Sequence, residues 1–188
     1  MVRAFVAVKI SDEVRRKLVE VQGALAKAGA EQKLVEPENL HLTLKFLGEV
    51  QQEKIRRIVE KVSEAVAGTE PFDIHVAGIG AFPSIGYARV VWAGMAEGGE
   101  KVAEVQKKID SALTSLGFSP ERDFHPHITL SRVKFVREKA RFVEFLKEMA
   151  KADFGVTRVD SVSLEQSTLT SKGPIYSTLA KVELQSLR

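Results

Sequence analysis

Four residues whose types and spacing suit chemistry stand in two short stretches: His41-Leu42-Thr43-Leu44 and His127-Ile128-Thr129-Leu130. Each reads histidine, apolar, threonine, apolar, with the two-residue alternation of a β-strand. Residues i and i+2 share a strand face, so each copy presents an imidazole beside a hydroxyl while its aliphatic residues point the other way. Imidazole titrates near neutrality, so one histidine can serve as a base while its twin serves as an acid. In-line displacement at phosphorus needs both roles, on opposite sides of the transferring group. The two threonine hydroxyls would hold the non-bridging oxygens and stabilise the charge developing on them. This arrangement suits a cyclic phosphodiester, a strained substrate that water can open without a metal.

One such stretch alone means little, but the two copies use half of the four histidines in the chain. His75, in the alternating run Phe72-Asp73-Ile74-His75-Val76, reads as an ordinary strand residue, and His125 as a neighbour at the rim of the site. A catalytic zinc usually takes three protein ligands, often with a carboxylate among or behind them. Neither motif carries an Asp or Glu on its histidine face, so the site is read as metal-free and without a cofactor. The absence of cysteine excludes disulfides, thiolate catalysis and Cys-type metal sites. No P-loop, Rossmann fingerprint or Gly-x-Ser-x-Gly elbow is present.

The elements that must position the motifs follow from periodicity. Residues 2–10 form an apolar, β-branched strand, and Ser11 caps a helix carrying Val14, Leu18, Val21 and Leu25. A short strand at Leu34-Val35 and a turn at Pro37-Glu38-Asn39 precede the first motif strand, expected over 40–47. A helix with Ile55, Ile58, Val59, Val62 and Val66 follows, then a strand from Phe72 interrupted at Gly78 and Gly80, a turn, and a returning strand over 88–93. After Glu97-Gly98-Gly99 the plan repeats: a helix with Val102, Val105, Ile109 and Leu113, a motif strand over 124–133, and a helix over 137–150. Two strands, 158–169 and 175–184, close the chain. The expected class is α+β with mostly antiparallel sheet.

Length and composition agree with a single globular domain: 188 residues, 44% hydrophobic and 28% charged. No apolar run approaches the ~20 residues of a membrane span, and the N-terminus lacks the layout of a signal peptide, so a cytoplasmic protein is expected. A net charge of +3 permits a phosphate-bearing partner without demanding one.

The doubled motif, with the flanking Lys45-Phe46-Leu47-Gly48 and Ser131-Arg132, resembles the 2H phosphoesterase superfamily, above all its LigT-like branch of 2′-5′ RNA ligases, also called RNA 2′,3′-cyclic phosphodiesterases. The resemblance spans essentially the whole chain. It implies a bilobal α+β fold with pseudo-two-fold symmetry, in which two antiparallel sheets line a central cleft and helices cover the outer faces. Lobes of approximately 1–96 and 97–188 are expected, with strands exchanged between them. It also implies hydrolysis of a 2′,3′-cyclic phosphate at an RNA 3′ end to a 2′-phosphate, with reverse joining of tRNA halves as a side activity. The partner would be such an RNA, met by a monomer. His41 and His127 become the acid/base pair, with His41 the acid on the leaving 3′ oxygen, and Thr43, Thr129 and Arg132 bind phosphate. Readings outside catalysis on RNA are an RNA-end binding module and an esterase for a small cyclic nucleotide.

Strand parity extends the site and also raises an objection. Arg3, Phe5 and Lys45 fall on the side of His41, so they are expected in the cleft, whereas Phe46 has the parity of Leu42 and Leu44 and is expected in the core. Arg132 is an odd number of residues from His127, and a regular strand would aim it away; it reaches the site only if the strand bulges after Leu130. Tyr176, Phe82, Tyr87 and Trp92 are aromatic rings that could stack on a terminal base or pack in the core.

Overall fold

Apolar stripes and caps account for the helices. In α1 (Asp12–Leu25), Val14, Leu18, Gln22 and Leu25 are buried, and the Ser11 side chain accepts the Val14 N–H at its N-terminus. α2 (Ile55–Val66) buries Ile58, Val62 and Val66. α3 (Gly99–Thr114) buries Val102, Val105, Ile109 and Leu113, but also Gln106 and Asp110. α4 (Lys139–Glu148) buries Phe142 and Leu146. The strands are β1 (Val2–Lys9), β2 (Ala30–Leu34), β3 (His41–Val50), β4 (Phe72–Ser84), β5 (Tyr87–Glu97), β6 (Ile128–Val136), β7 (Asp153–Val159), β8 (Ser161–Thr170) and β9 (Gly173–Glu183). This computed structural model describes residues 1–186.

All strand pairings are antiparallel, in the order β7-β4-β5-β6-β3-β1-β8-β9, with β2 on β6. The two expected sheets are therefore joined, and the joint is slender. β3 meets β6 only at Leu42↔Ile128, the second residues of the two motifs. Beyond that bridge the strands part, and β2 takes over the edge of β6. Chain halves and sheet halves do not coincide: β8 and β9 join β1 and β3, whereas β6 and β7 join β4 and β5. α1 packs on β7 and β6, α4 on β4, and α2 with α3 on the side of β3 and β9. The core lies between these helices and the sheet and includes Leu42, Leu44, Ile128 and Leu130, the apolar halves of both motifs. Among the described residues, no helix is long and apolar enough to cross a membrane.

Several boundaries differ from the periodic reading. The expected strand 158–169 is two strands meeting at Asp160, because β7 pairs with β4 while β8 pairs with β1 in the other sheet half. β2 begins at Ala30, earlier than the short strand expected at Leu34-Val35. β4 runs through Gly78 and Gly80, and its irregular register with β5 absorbs the glycines. The second motif strand starts at Ile128 rather than near 124; Pro126 has no N–H to offer a ladder there.

Candidate active site

The same irregularity follows both threonines. Val6 pairs with Lys45 and Ala7 with Thr43, so β3 spends two residues where β1 spends one, and Leu44 is the extra residue. Val91 pairs with Ser131 and Trp92 with Thr129, leaving Leu130 extra on β6. Each bulge reverses the alternation. Leu44 and Lys45 both turn inward and Phe46 turns out; Leu130 and Ser131 both turn inward and Arg132 turns out. This resolves the parity objection, since Arg132 borders the same cleft as His127 and Thr129. It also overturns the reading of Phe46 as core: the ring is 70% exposed and borders the cleft.

The two imidazoles are held alike. His41 Nδ1 lies 2.6 Å from the Asn39 carbonyl oxygen, and His127 Nδ1 lies 2.6 Å from that of His125. A carbonyl only accepts, so in each ring Nδ1 carries the proton and donates it, and Nε2 faces the work. His41 Nε2 is 2.7 Å from Thr43 Oγ1. Among the described residues, His127 Nε2 and Thr129 Oγ1 have no hydrogen-bond partner. Both rings border one cleft of about 400 Å³, roomy enough for a nucleotide-sized ligand.

Packing and charge around the rings differ. His41 lies against Phe5 (centroids 4.9 Å) and edge-on to Tyr176 (5.4 Å). His127 stands edge-on to Phe82 (5.0 Å), which rests on Trp92 (5.1 Å). Burial pushes the pKa of both histidines below the ordinary imidazole value, favouring the neutral ring, while the bond to the backbone carbonyl works the other way. Glu165 raises the pKa of His41 and the charge of His127 lowers it; His125 and Arg132 lower that of His127. Glu165 is buried on β8, accepts from the Thr178 hydroxyl and pairs with Lys9 at 3.4 Å. No motif marks it, because its neighbour His41 is far away in sequence and comes near only through β1.

The remaining expected residues separate. Tyr176 and His125 border the cleft, His125 from an irregular stretch and at 3.3 Å from Asp123. Phe5 is buried and backs His41 from beneath instead of lining the cleft, because its place beside β8 is covered by the Tyr176 ring. Arg3 is exposed and lies outside the lining. Lys45 borders the cleft but is only 4% exposed; the Leu44 bulge carries its ammonium inward to Asp110 and to the Ser119 carbonyl. Tyr87 is exposed and holds Arg89 over its ring.

A forked antiparallel sheet that brings two His-Thr pairs to one cleft describes a two-histidine phosphoesterase. The chain belongs to the LigT-like phosphoesterase family. The family described as LigT like Phosphoesterase matches twice, over residues 8–92 and 94–176, one match around each motif. The chain is 43% identical over 178 residues to the RNA 2′,3′-cyclic phosphodiesterase of Methanothermobacter thermautotrophicus, covering 95% of this chain and 96% of the relative. Among solved structures it is similar to the protein TT0787 of Thermus thermophilus (30% identity, TM-score 0.80, 97% of each chain). It is likewise similar to E. coli LigT complexed with 3′-AMP (25% identity, TM-score 0.80, 97% of this chain and 98% of that one).

Proposed function

We propose that this protein is an RNA 2′,3′-cyclic phosphodiesterase that opens a terminal cyclic phosphate to a 2′-phosphate. The observation that carries the reading is the pair of Nε2 atoms offered to one cleft by two identically bulged motifs. His41, whose pKa the Glu165 charge raises, is the acid that protonates the leaving 3′ oxygen; His127, whose pKa the Arg132 charge lowers, is the base that takes a proton from water. The bound cyclic phosphate is an anion, and its charge favours the proton that burial alone disfavours on His41. Thr43, Thr129 and Arg132 hold the non-bridging oxygens. Phe46 offers a face to the terminal base, and Lys33, Arg132 and Lys172 give the strand upstream a cationic rim. A 5′-hydroxyl in place of water would produce a 2′-5′ join between tRNA halves. Both histidines and both threonines come from one chain, so a monomer suffices.

The test is incubation with an RNA ending in a 2′,3′-cyclic phosphate, in excess chelator. A 2′-phosphate product is expected, lost in His41→Ala and in His127→Ala. Binding of that RNA without turnover would replace this reading with an end-binding module. Turnover confined to mononucleotides would replace it with a small-molecule esterase.

A further inference from the structure

An interior ion pair takes no part in the chemistry above. The Leu44 bulge turns Lys45 inward, where its ammonium donates to the Asp110 carboxylate of α3 and, at 2.7 Å, to the Ser119 carbonyl. The same Asp110 oxygen accepts the Glu121 N–H at 3.1 Å. Ser119 and Glu121 belong to the irregular link between α3 and β6, which leads directly to His127. From Ser119 to Pro126, these two bonds are the only hydrogen bonds tying the link to other elements among the described residues. The link ends at the His125 carbonyl, the acceptor that orients the His127 ring.

We propose that Lys45 and Asp110 are positioning residues: through Ser119 and Glu121 they hold the approach to the second motif, and so the orientation of His127. The inference rests on the proposed role of His127. Pseudo-symmetry supports it. The position equivalent to Lys45 is Ser131, also buried, which donates to the Gln32 side chain at 2.7 Å in an uncharged network. On that side Asn39, whose carbonyl orients His41, lies in a 3₁₀ turn (Pro37–Asn39) just ahead of β3, and no long link needs an anchor. A buried ion pair is a poor device for stability alone, because apolar pairs of similar volume often do as well. Its geometry here is instead suited to specifying where a loop lies.

The decisive variant is the paired replacement Lys45→Met/Asp110→Leu, which leaves no lone buried charge. Retained folding is expected, with the imidazole nitrogen resonances and titration of His127 displaced and those of His41 unchanged. kcat on RNA 2′,3′-cyclic phosphate should fall on the order of 10–100-fold, with KM little altered. Unchanged His127 resonances together with kcat within about twofold of the parent would overturn the proposal. In the unmodified protein the Glu121 amide should exchange as slowly as amides of α3; exchange at the rate of a free loop would overturn it however the variant folds. His127→Ala separates the two ideas: normal turnover there removes the catalytic reading, while the resonances and amide exchange still judge the positioning.

Discussion

His41 and His127 share a ring tautomer, a carbonyl two residues upstream and a bulge three residues downstream, yet they occupy different ground. His41 is the first residue of β3, is packed between Phe5 and Tyr176, and has its Nε2 engaged by Thr43. His127 ends an irregular link, leans on Phe82 and offers a free Nε2 among the described residues. The charges differ in the same sense, with a carboxylate near the first ring and a guanidinium near the second. A duplicated motif thus supplies two equivalent imidazoles, and in the proposed mechanism their unequal surroundings suit them to opposite proton roles. The bulge makes the same point at another pair: equivalent positions carry the Phe46 ring on one side and the Arg132 guanidinium on the other, both bordering the cleft.

The largest effects should come from removing either ring. His41→Ala and His127→Ala should each lower kcat/KM by about 10²–10⁴-fold on a cyclic-phosphate RNA. A phosphodiester with a good aryl leaving group needs no acid, so it should restore turnover to His41→Ala and not to His127→Ala. Equal restoration of both would break the assigned asymmetry. Next come the bulge partners: Arg132→Ala should cost about 10²–10³-fold, mostly in kcat. Phe46→Ala should act mostly on KM, through the ~1–3 kcal/mol that stacking on a base supplies.

A smaller and one-sided effect is expected at Gly80. A Cβ there would lie 2.3 Å from the Trp92 indole, which supports Phe82 and through it His127. Gly80→Ala should destabilise the protein by about 1–3 kcal/mol and disturb the His127 resonances more than those of His41, read by thermal melting and NMR.

The smallest effect is on stability against pH. Both histidines have pKa values below the ordinary 6.5, so in the window beneath it the unfolded chain binds more protons than the native one. Stability is therefore fully present above pH 6.5 and is lost as pH falls toward the native values, by at most about 1.4 kcal/mol per group per pH unit. Melting midpoints from pH 7.5 to 5.5 should fall less steeply in either alanine variant; an equal slope would show that other groups govern the acid side.

Much of this was legible from local pattern. The alternation around His41 and His127, the Ser11 cap and the stripes of α1 to α4 are short-range features, since a helix or strand face is determined by residues a few positions apart. Both His-Thr pairs and their apolar backing follow from it. Asp110 carried a signal as well: a carboxylate on the buried stripe of α3 is a local conflict that calls for a partner. The partner itself did not follow from the pattern. Whether Lys45 or Phe46 enters the interior depends on a bulge, which exists only relative to the strand alongside. The same holds for Arg132, for the break at Asp160 and for the distant Glu165 and Tyr176 beside His41. Sequence alone determined which groups could do the chemistry, because residue type and period are local. Only the tertiary structure decided which of their neighbours face the cleft, because register is a property of two strands and never of one.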